Sequence, residues 1–416
     1  AGHKQDTPRE VSGGFYLTRL DHLLDPTRIY KLKTSDFERI NPNTKTCPVF
    51  RTSQDAMLTT QIYRQCKVLI NDATRENIWH IKFARMFDMS NDSHLFYTYS
   101  QLVDKGAKLE GNKFLLNNQF YVPLYEGKMI WHYNHHFGTI NEGTKEKPAR
   151  QMAMPTSDEL KNPNHNIMPW YWIPKEDMDN RLIKTDAKGN IIWEWSHKWL
   201  IGFRDITNAT HDRTFVISLI PDACGVGHSA TLLFVERGTM PGALLLGMMS
   251  SLVFDYATRQ KIGGSHASIS FVKQFPVLTP EQVSSSGYEQ DIVERVARLC
   301  WFNHDLDGWM EELREECPEE YDLPEEPVIW DEEQRTVWQA ELDAIFAHLY
   351  GLTTEDLRYI LDPEDVCGKG CINETFRVLK ERELRELGEY RTKRLVMEAW
   401  NKFEFDNKLK MLCYEK

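Results

Sequence analysis

Three stretches of this 416-residue chain crowd together side chains able to donate to phosphate oxygens or to base edges. The first is Tyr121 to Ile140 (YVPLYEGKMIWHYNHHFGTI), which carries Tyr125, Glu126, Lys128, His132, Asn134, His135 and His136. Read as an extended strand, it sets His132 and Asn134 or His136 on one face and His135 on the other, so its histidines do not converge on a metal. The chemistry this predicts is a polar groove wall, with His and Lys donating to phosphates and Tyr stacking on bases. A strand edge with internally satisfied histidines fits the same pattern. The second stretch, Leu200 to Pro221, offers Arg204, Asn208, His211 and Arg213. Asn pairs with adenine and Arg with guanine through two-point contacts. The alternative is that Arg204-Asp205 and Asp212-Arg213 close on each other as internal ion pairs. In the third, Arg259, Lys261, Ser265 and His266 follow a helix in a turn, all of them hydrogen-bond donors.

Other chemistries are thinner. Glu126-Gly-Lys128, with Asp104 upstream, permits a metal-dependent nuclease site, in which the carboxylates hold a metal that activates water; no Pro-Asp precedes it. Asp88 to Asp92 lacks the glycine and terminal glutamate of a calcium loop and reads as a capped turn. The eight cysteines show no framework spacing and read as reduced thiols; Cys367-Gly-Lys-Gly-Cys371 is the one close pair, without further metal ligands nearby. A glycine-rich cofactor loop, an (Asn/Asp)-Pro-Pro-(Tyr/Phe) turn, a nucleophile elbow and a Walker loop are all missing, and Pro-Pro occurs nowhere. No catalytic residue, no metal and no cofactor are therefore assigned.

The elements that must position these groups are partly legible. Leu244, Met248, Ser251, Leu252, Asp255, Tyr256 and Arg259 recur at helical steps, and Gly263-Gly264 is read as a left-handed stop. Ile269 to Phe275 alternates like a strand that Pro276 ends. Further strands are expected at Lys67 to Ile70, Ile78 to Phe87 and Thr214 to Ile220, with a helix of about twelve residues from Ser53. The aromatic runs Pro169 to Pro174 and Ile191 to Trp195 read as core, and 141 to 165 as a polar loop. Beyond Pro280 come helices at Gln282 to Cys300, Gln334 to His348, Thr354 to Ile360 and Glu374 to Phe403, with an acidic linker at Glu311 to Pro327. The expected fold is α/β (α+β) with a mixed sheet, followed by a mostly α-helical C-terminal region. Its divisions are 1–110 (α/β lead-in), 111–280 (recognition core) and 281–416 (acidic helical region).

Charge separates along the same boundary. Residues 281–416 hold 34 Asp/Glu and 17 Lys/Arg, whereas residues 1–280 hold 28 and 33, with twelve of the fourteen histidines. A mildly basic, histidine-rich body suits a DNA-facing role. There is no uncharged apolar run of about eighteen residues and no apolar signal core, so no membrane and a cytoplasmic location are expected. The polar start at Ala1 suggests a piece of something longer.

Several long motifs resemble one family. The run Ser251-Leu252 through Arg259, Gly263-Gly264 and Pro276 to Pro280 resembles the end of target-recognition domains in DNA restriction-modification proteins. "PLYEGKMIWHYNHHF" is similar to the PLYE-x-K-M-I-(x)3-(D/N)-H-x-F run of type II (IIG-like) and defence-island adenine-specific DNA methyltransferases. "FRDITNATHDRTF" resembles their FRDITNATN-(E/D)-RTF segment, with His211 where that pattern has Asn. Phe50 to Ser53, Ile62 to Arg64 and Arg85 to Asp92 resemble the region before their recognition core, and Tyr350 to Trp400 resembles their closing stretch. The resemblance spans roughly residues 45–400. It implies recognition of double-stranded DNA for N6-adenine methylation, with S-adenosylmethionine bound by a methyltransferase domain in cis, upstream, or in a partner subunit. The implied DNA-facing residues are Tyr125, Lys128, His132, Asn134, His135, Arg204, Asn208, Arg213, Arg259, Lys261, Ser265 and His266. The alternatives are a stand-alone nuclease using Glu126 and Lys128, and a protein-interaction module using the acidic helices.

Overall fold

The computed structural model describes residues 10–141, 151–208, 211–372 and 375–414, with side chains through 404. Ala209 and Thr210 of the second polar stretch, Glu374 and residues 142–150 of the polar loop lie outside the described residues. The fold is mixed α/β, with several small sheets and a helical C-terminal region. Its centre is a four-stranded antiparallel sheet in the order Ile217–Pro221, Trp199–Arg204, Ala230–Val235, Ile81–Ala84. ISLIP and ATLLFV lack polar alternation because both faces of these strands are covered, and every residue in them is buried.

A second sheet runs Trp172–Pro174, Gln119–Tyr125, Lys113–Leu116, Lys108–Glu110. Asn117 and Asn118, at φ 50° and 64°, make the tight hairpin that sets its register. Gly225–Val226 adds parallel to Gln119–Tyr125 and then leads into Ala230–Val235, tying the two sheets together.

Against the central sheet lies the helix Thr239–Ser250 (TMPGALLLGMMS), apolar all round and almost wholly buried. Its first amides are held by an acid from the C-terminal region. Glu316 accepts from Thr239 N at 2.7 Å and from Met240 N at 2.8 Å, placing a carboxylate where the helix leaves N–H groups unpaired. Gly238 makes this possible. Its φ is 121°, and a Cβ there would sit 2.8 Å from the Glu316 carboxylate.

Helical spacing across 244–259 is real, but the helix is not continuous. At Ser251 the chain bends by 61°, and Leu252–Arg259 begins anew. Ser251 caps it by accepting from Phe254 N, and Asp343 accepts from Leu252 N at 2.7 Å. The glycine stop expected after it is corrected. Neither Gly263 nor Gly264 has positive φ, and a Cβ on either would meet nothing within 4 Å. The chain turns instead because Lys261 folds inward and Ile262 is buried.

Two expected strands are also corrected. Ile269–Val272 is one helical turn, and only Pro276–Val277 is extended, pairing with Lys67–Val68. Val272 and Phe275 still enter the core, which explains why the apolar spacing looked strand-like. Downstream of Tyr125 the strand ends. Gly127–Met129 is a 3-10 turn, and Trp131 and Asn134 face each other across a tight turn with Tyr133 at φ 56°. The acidic linker is shorter than expected, because Asp307–Glu316 is helical and buries Trp309, Met310 and Leu313.

One apolar core runs from Leu58 and Ile62 through both polar-stretch strands and the helix Glu332–Leu349 to Trp400 and Phe403. Among the described residues no single helix is long and apolar enough to cross a membrane.

Candidate functional site

The first polar stretch, the second, and the C-terminal helices meet at a cleft of about 690 Å3. Trp131, His132 and Asn134 form one wall, Asp212 and Arg213 another, and Leu252 contributes from the bent helix. Arg335, Asp343, Arg382 and Arg391 reach in from the C-terminal region. A second cavity of about 280 Å3 shares Trp131, Asp212 and Arg213 with it and is lined further by Arg204, Ile206, Thr207 and His211.

The expected cations are mostly spent inside the fold. Arg204 donates from Nε to Gly127 O at 2.7 Å and to Ile130 O at 3.0 Å, and from Nη2 to Ile130 O at 2.6 Å. Its guanidinium lies 4.8 Å from the Trp131 ring and 5.2 Å from Phe137, themselves stacked at 5.1 Å. Burial lowers its pKa to about 10. Arg213 pairs with the fully buried Asp255 at 2.7 Å and donates to Ser250 O. Arg259 approaches the same carboxylate at 3.6 Å and donates to the carbonyls of His211, Asp212 and Thr375. Asp255 also accepts from the amides of Thr214 and Phe215. Lys261 donates to the carbonyls of Ile40 and Gln274 beneath the Tyr63 ring, and burial holds its pKa well below the usual lysine range. It lies in a separate cavity of about 320 Å3 with Ile40, Cys47 and Phe271.

The alternative ion pairs between sequence neighbours do not form either. Asp205 accepts from His266 Nδ1 at 2.9 Å, and Asp212 pairs with Arg382 at 2.8 Å. Asn208, Ser265 and His266 are exposed along one rim, where Thr207 N donates to Ser265 O and Ile206 bridges to His266. Lys128 is exposed and paired with Glu126 at 2.9 Å, with the Trp170 ring beside it at 5.6 Å. That pairing ties up the carboxylate a nuclease metal would need. Tyr125 is buried, its hydroxyl without a hydrogen-bond partner, and burial drives its pKa well above 10.

The histidines behave differently. His132 is 4% exposed, and neither ring nitrogen makes a hydrogen bond of good geometry, although the Phe215 backbone lies beside it. Burial, then the Arg213 and Arg204 charges, holds its pKa well below 6.5. His135 is buried next to His136, ring centroids 4.4 Å apart, and burial lowers its pKa likewise. His136 Nε2 lies 2.9 Å from Asp305 Oδ2. Asn134 Oδ1 accepts from His136 N at 2.8 Å and so holds the turn.

The cleft therefore gathers His132, Asn134 and Arg213, with Arg204 in the adjoining cavity and His266 beside its lining residue Ile206. It leaves Lys261 apart. The lining counts five carboxylates (Asp212, Glu332, Asp343, Glu383, Glu386) against four arginines, so it is not the positively charged groove that sequence suggested. Sequence reasoning passed over Trp131, Asp255, Asp305, Asp343 and Arg382. The i,i+4 spacing of Asp255 and Arg259 was the one local signal available. No family model and no curated protein matches this chain.

Proposed function

We propose that this chain is a DNA target-recognition region serving an adenine-specific methyltransferase of a restriction-modification or phage-defence system. The observation that carries the reading is convergence. Stretches resembling that family, spread along the chain from Trp131 to Arg391, contribute Trp131, His132, Asn134, Asp212, Arg213, Leu252, Arg382 and Arg391 to one cleft. Unrelated surface loops have no reason to meet in this way.

A volume near 690 Å3 falls within the small-molecule range of about 300–1,000 Å3. It would admit an extruded nucleotide or a base edge, whereas a duplex would lie across its mouth. Lys128 and Arg382 then serve as phosphate contacts, and Asn208 and His266 on the rim read base edges. S-adenosylmethionine would belong to a methyltransferase domain or subunit outside these residues.

The test is selection of duplexes from a randomised pool on the purified chain at low salt, followed by anisotropy titration. One enriched sequence, bound at least tenfold tighter than a scrambled duplex and losing that preference in Asn208→Ala, is the expected result. Recovery of an unenriched pool would overturn it.

A further inference from the structure

We propose a binding site for a zinc-type divalent cation formed by His135, His136 and Asp305, with His165 beside them as a fourth donor. It depends on nothing in the DNA reading. One ring nitrogen from each of the two histidines and a carboxylate oxygen of Asp305 lie within 4.8 Å of one another. Among the described residues this is the one grouping of three such donors.

The turn creates the cluster. In an extended chain adjacent histidines point to opposite faces, but Tyr133 at φ 56° reverses the backbone and both rings fall inward. Asp305 is fixed by its own amide, which donates to Asn303 Oδ1 at 2.9 Å. The Asn303 amide nitrogen in turn donates to His165 O at 2.9 Å, and His304 N donates to Pro163 O at 3.0 Å. These bonds bring the His165 ring to 6.2 Å from that of His136.

Three buried nitrogens, His135 Nε2, His136 Nδ1 and His165 Nε2, have no hydrogen-bond partner. Buried polar atoms are ordinarily satisfied, so three orphans on neighbouring rings mark a place where something else binds. Two or three imidazoles with one carboxylate suit zinc, cobalt or nickel; magnesium and calcium prefer all-oxygen shells. Asp305 is 27% exposed and His136 lines the large cleft, which gives the ion a way in. Arg335 is the nearby positive charge. It is turned onto Leu299 O and Tyr133 O, its guanidinium packed on Trp330.

The test is titration of the chelator-treated chain with zinc by calorimetry, and with cobalt by visible absorption. The expected result is one equivalent bound, tetrahedral cobalt bands, and a thermal midpoint raised by zinc. Asp305→Asn and His136→Ala should each weaken binding by at least about 100-fold, more than loss of an outer-shell partner costs. His304→Ala, next to the cluster but paired with Asp307, should bind as the parent does. Circular dichroism of each variant separates lost ligation from lost folding. Binding that survives both cluster variants in folded protein, or no stoichiometric binding to the parent, would overturn the site.

Discussion

Two buried polar regions of this molecule, one around Asp255 and one beginning at His132, meet at Arg213 and are built on opposite terms. Around Asp255 the charges are matched: Arg213 and two backbone amides hydrogen-bond its carboxylate, Arg259 stands 3.6 Å from it, and both arginines also donate to backbone carbonyls. Around His132, His135, His136 and His165 most ring nitrogens make no hydrogen bond of good geometry. A satisfied network fixes geometry and has no capacity left for a ligand. An unsatisfied one costs stability in the free protein and is where binding would recover it.

Breaking the satisfied side should have the largest effect. Asp255→Asn removes the carboxylate that Arg213 and Arg259 share, and loss of one partner from a buried pair costs about 3–5 kcal/mol. Urea unfolding should show a correspondingly lower midpoint; a change under about 1 kcal/mol would mean the network is not what holds the strand to the bent helix.

The opposite substitution sharpens the contrast. His132→Phe exchanges two ring nitrogens that make no good hydrogen bond for the carbons of a somewhat larger apolar ring, so stability at pH 7 should fall by no more than about 1 kcal/mol. Its pH response should differ too. His132 is held below 6.5 in the fold, so under acid the unfolded chain takes up a proton that the folded chain refuses. Stability then falls as pH drops below 6.5, by up to about 1.4 kcal/mol per pH unit for one proton. His132→Phe should flatten the parent's loss between pH 6.5 and 5 by that share, and parallel curves would contradict the assignment. Asp343 works in the other direction. Burial pushes its pKa up to about 7, so its contribution is full below the unfolded value of 3.8 and is lost as pH rises through 7.

Smallest is the effect at the rim. Arg382 lines the cleft and Lys128 precedes its wall residue Trp131 by three positions; both are exposed, each with an acidic partner. Arg382→Ala should cost under about 1 kcal/mol of stability and, if it meets phosphate, shift the slope of log affinity against log salt by about 0.9. With so few free cations the parent's slope should be no steeper than about −3; a slope near −8 would mean that a different, more basic face meets DNA.

Much of the frame was readable from residue order. Two of the four central strands fall on stretches read as strands, Ile78 to Phe87 and Thr214 to Ile220, while Trp199–Arg204 and Ala230–Val235 were not read. The helix expected from Ser53 is there with its cap one residue earlier, at Thr52, and the C-terminal helices follow the change of character at Pro280. The failures share a cause. The strand expected at 269–275 and the extended wall at 128–136 depend on where distant elements pull the chain, and Tyr133 in left-handed conformation has no local signature. Arg204 and Arg213 looked like DNA contacts because their acceptors are backbone carbonyls and, for Arg213, an aspartate 42 residues away, which no spacing reveals. Convergence of His165 and Asp305 on the histidine pair was equally hidden.

The shared interior has a practical corollary for exchanging parts of this chain. Glu312 and Glu316 hold Thr239 and its helix from the acidic side, Asp343 caps Leu252, and Arg382 pins Asp212. Chimeras that exchange only the first 280 residues would set that body on foreign supports, so donor segments should travel with their own C-terminal helices.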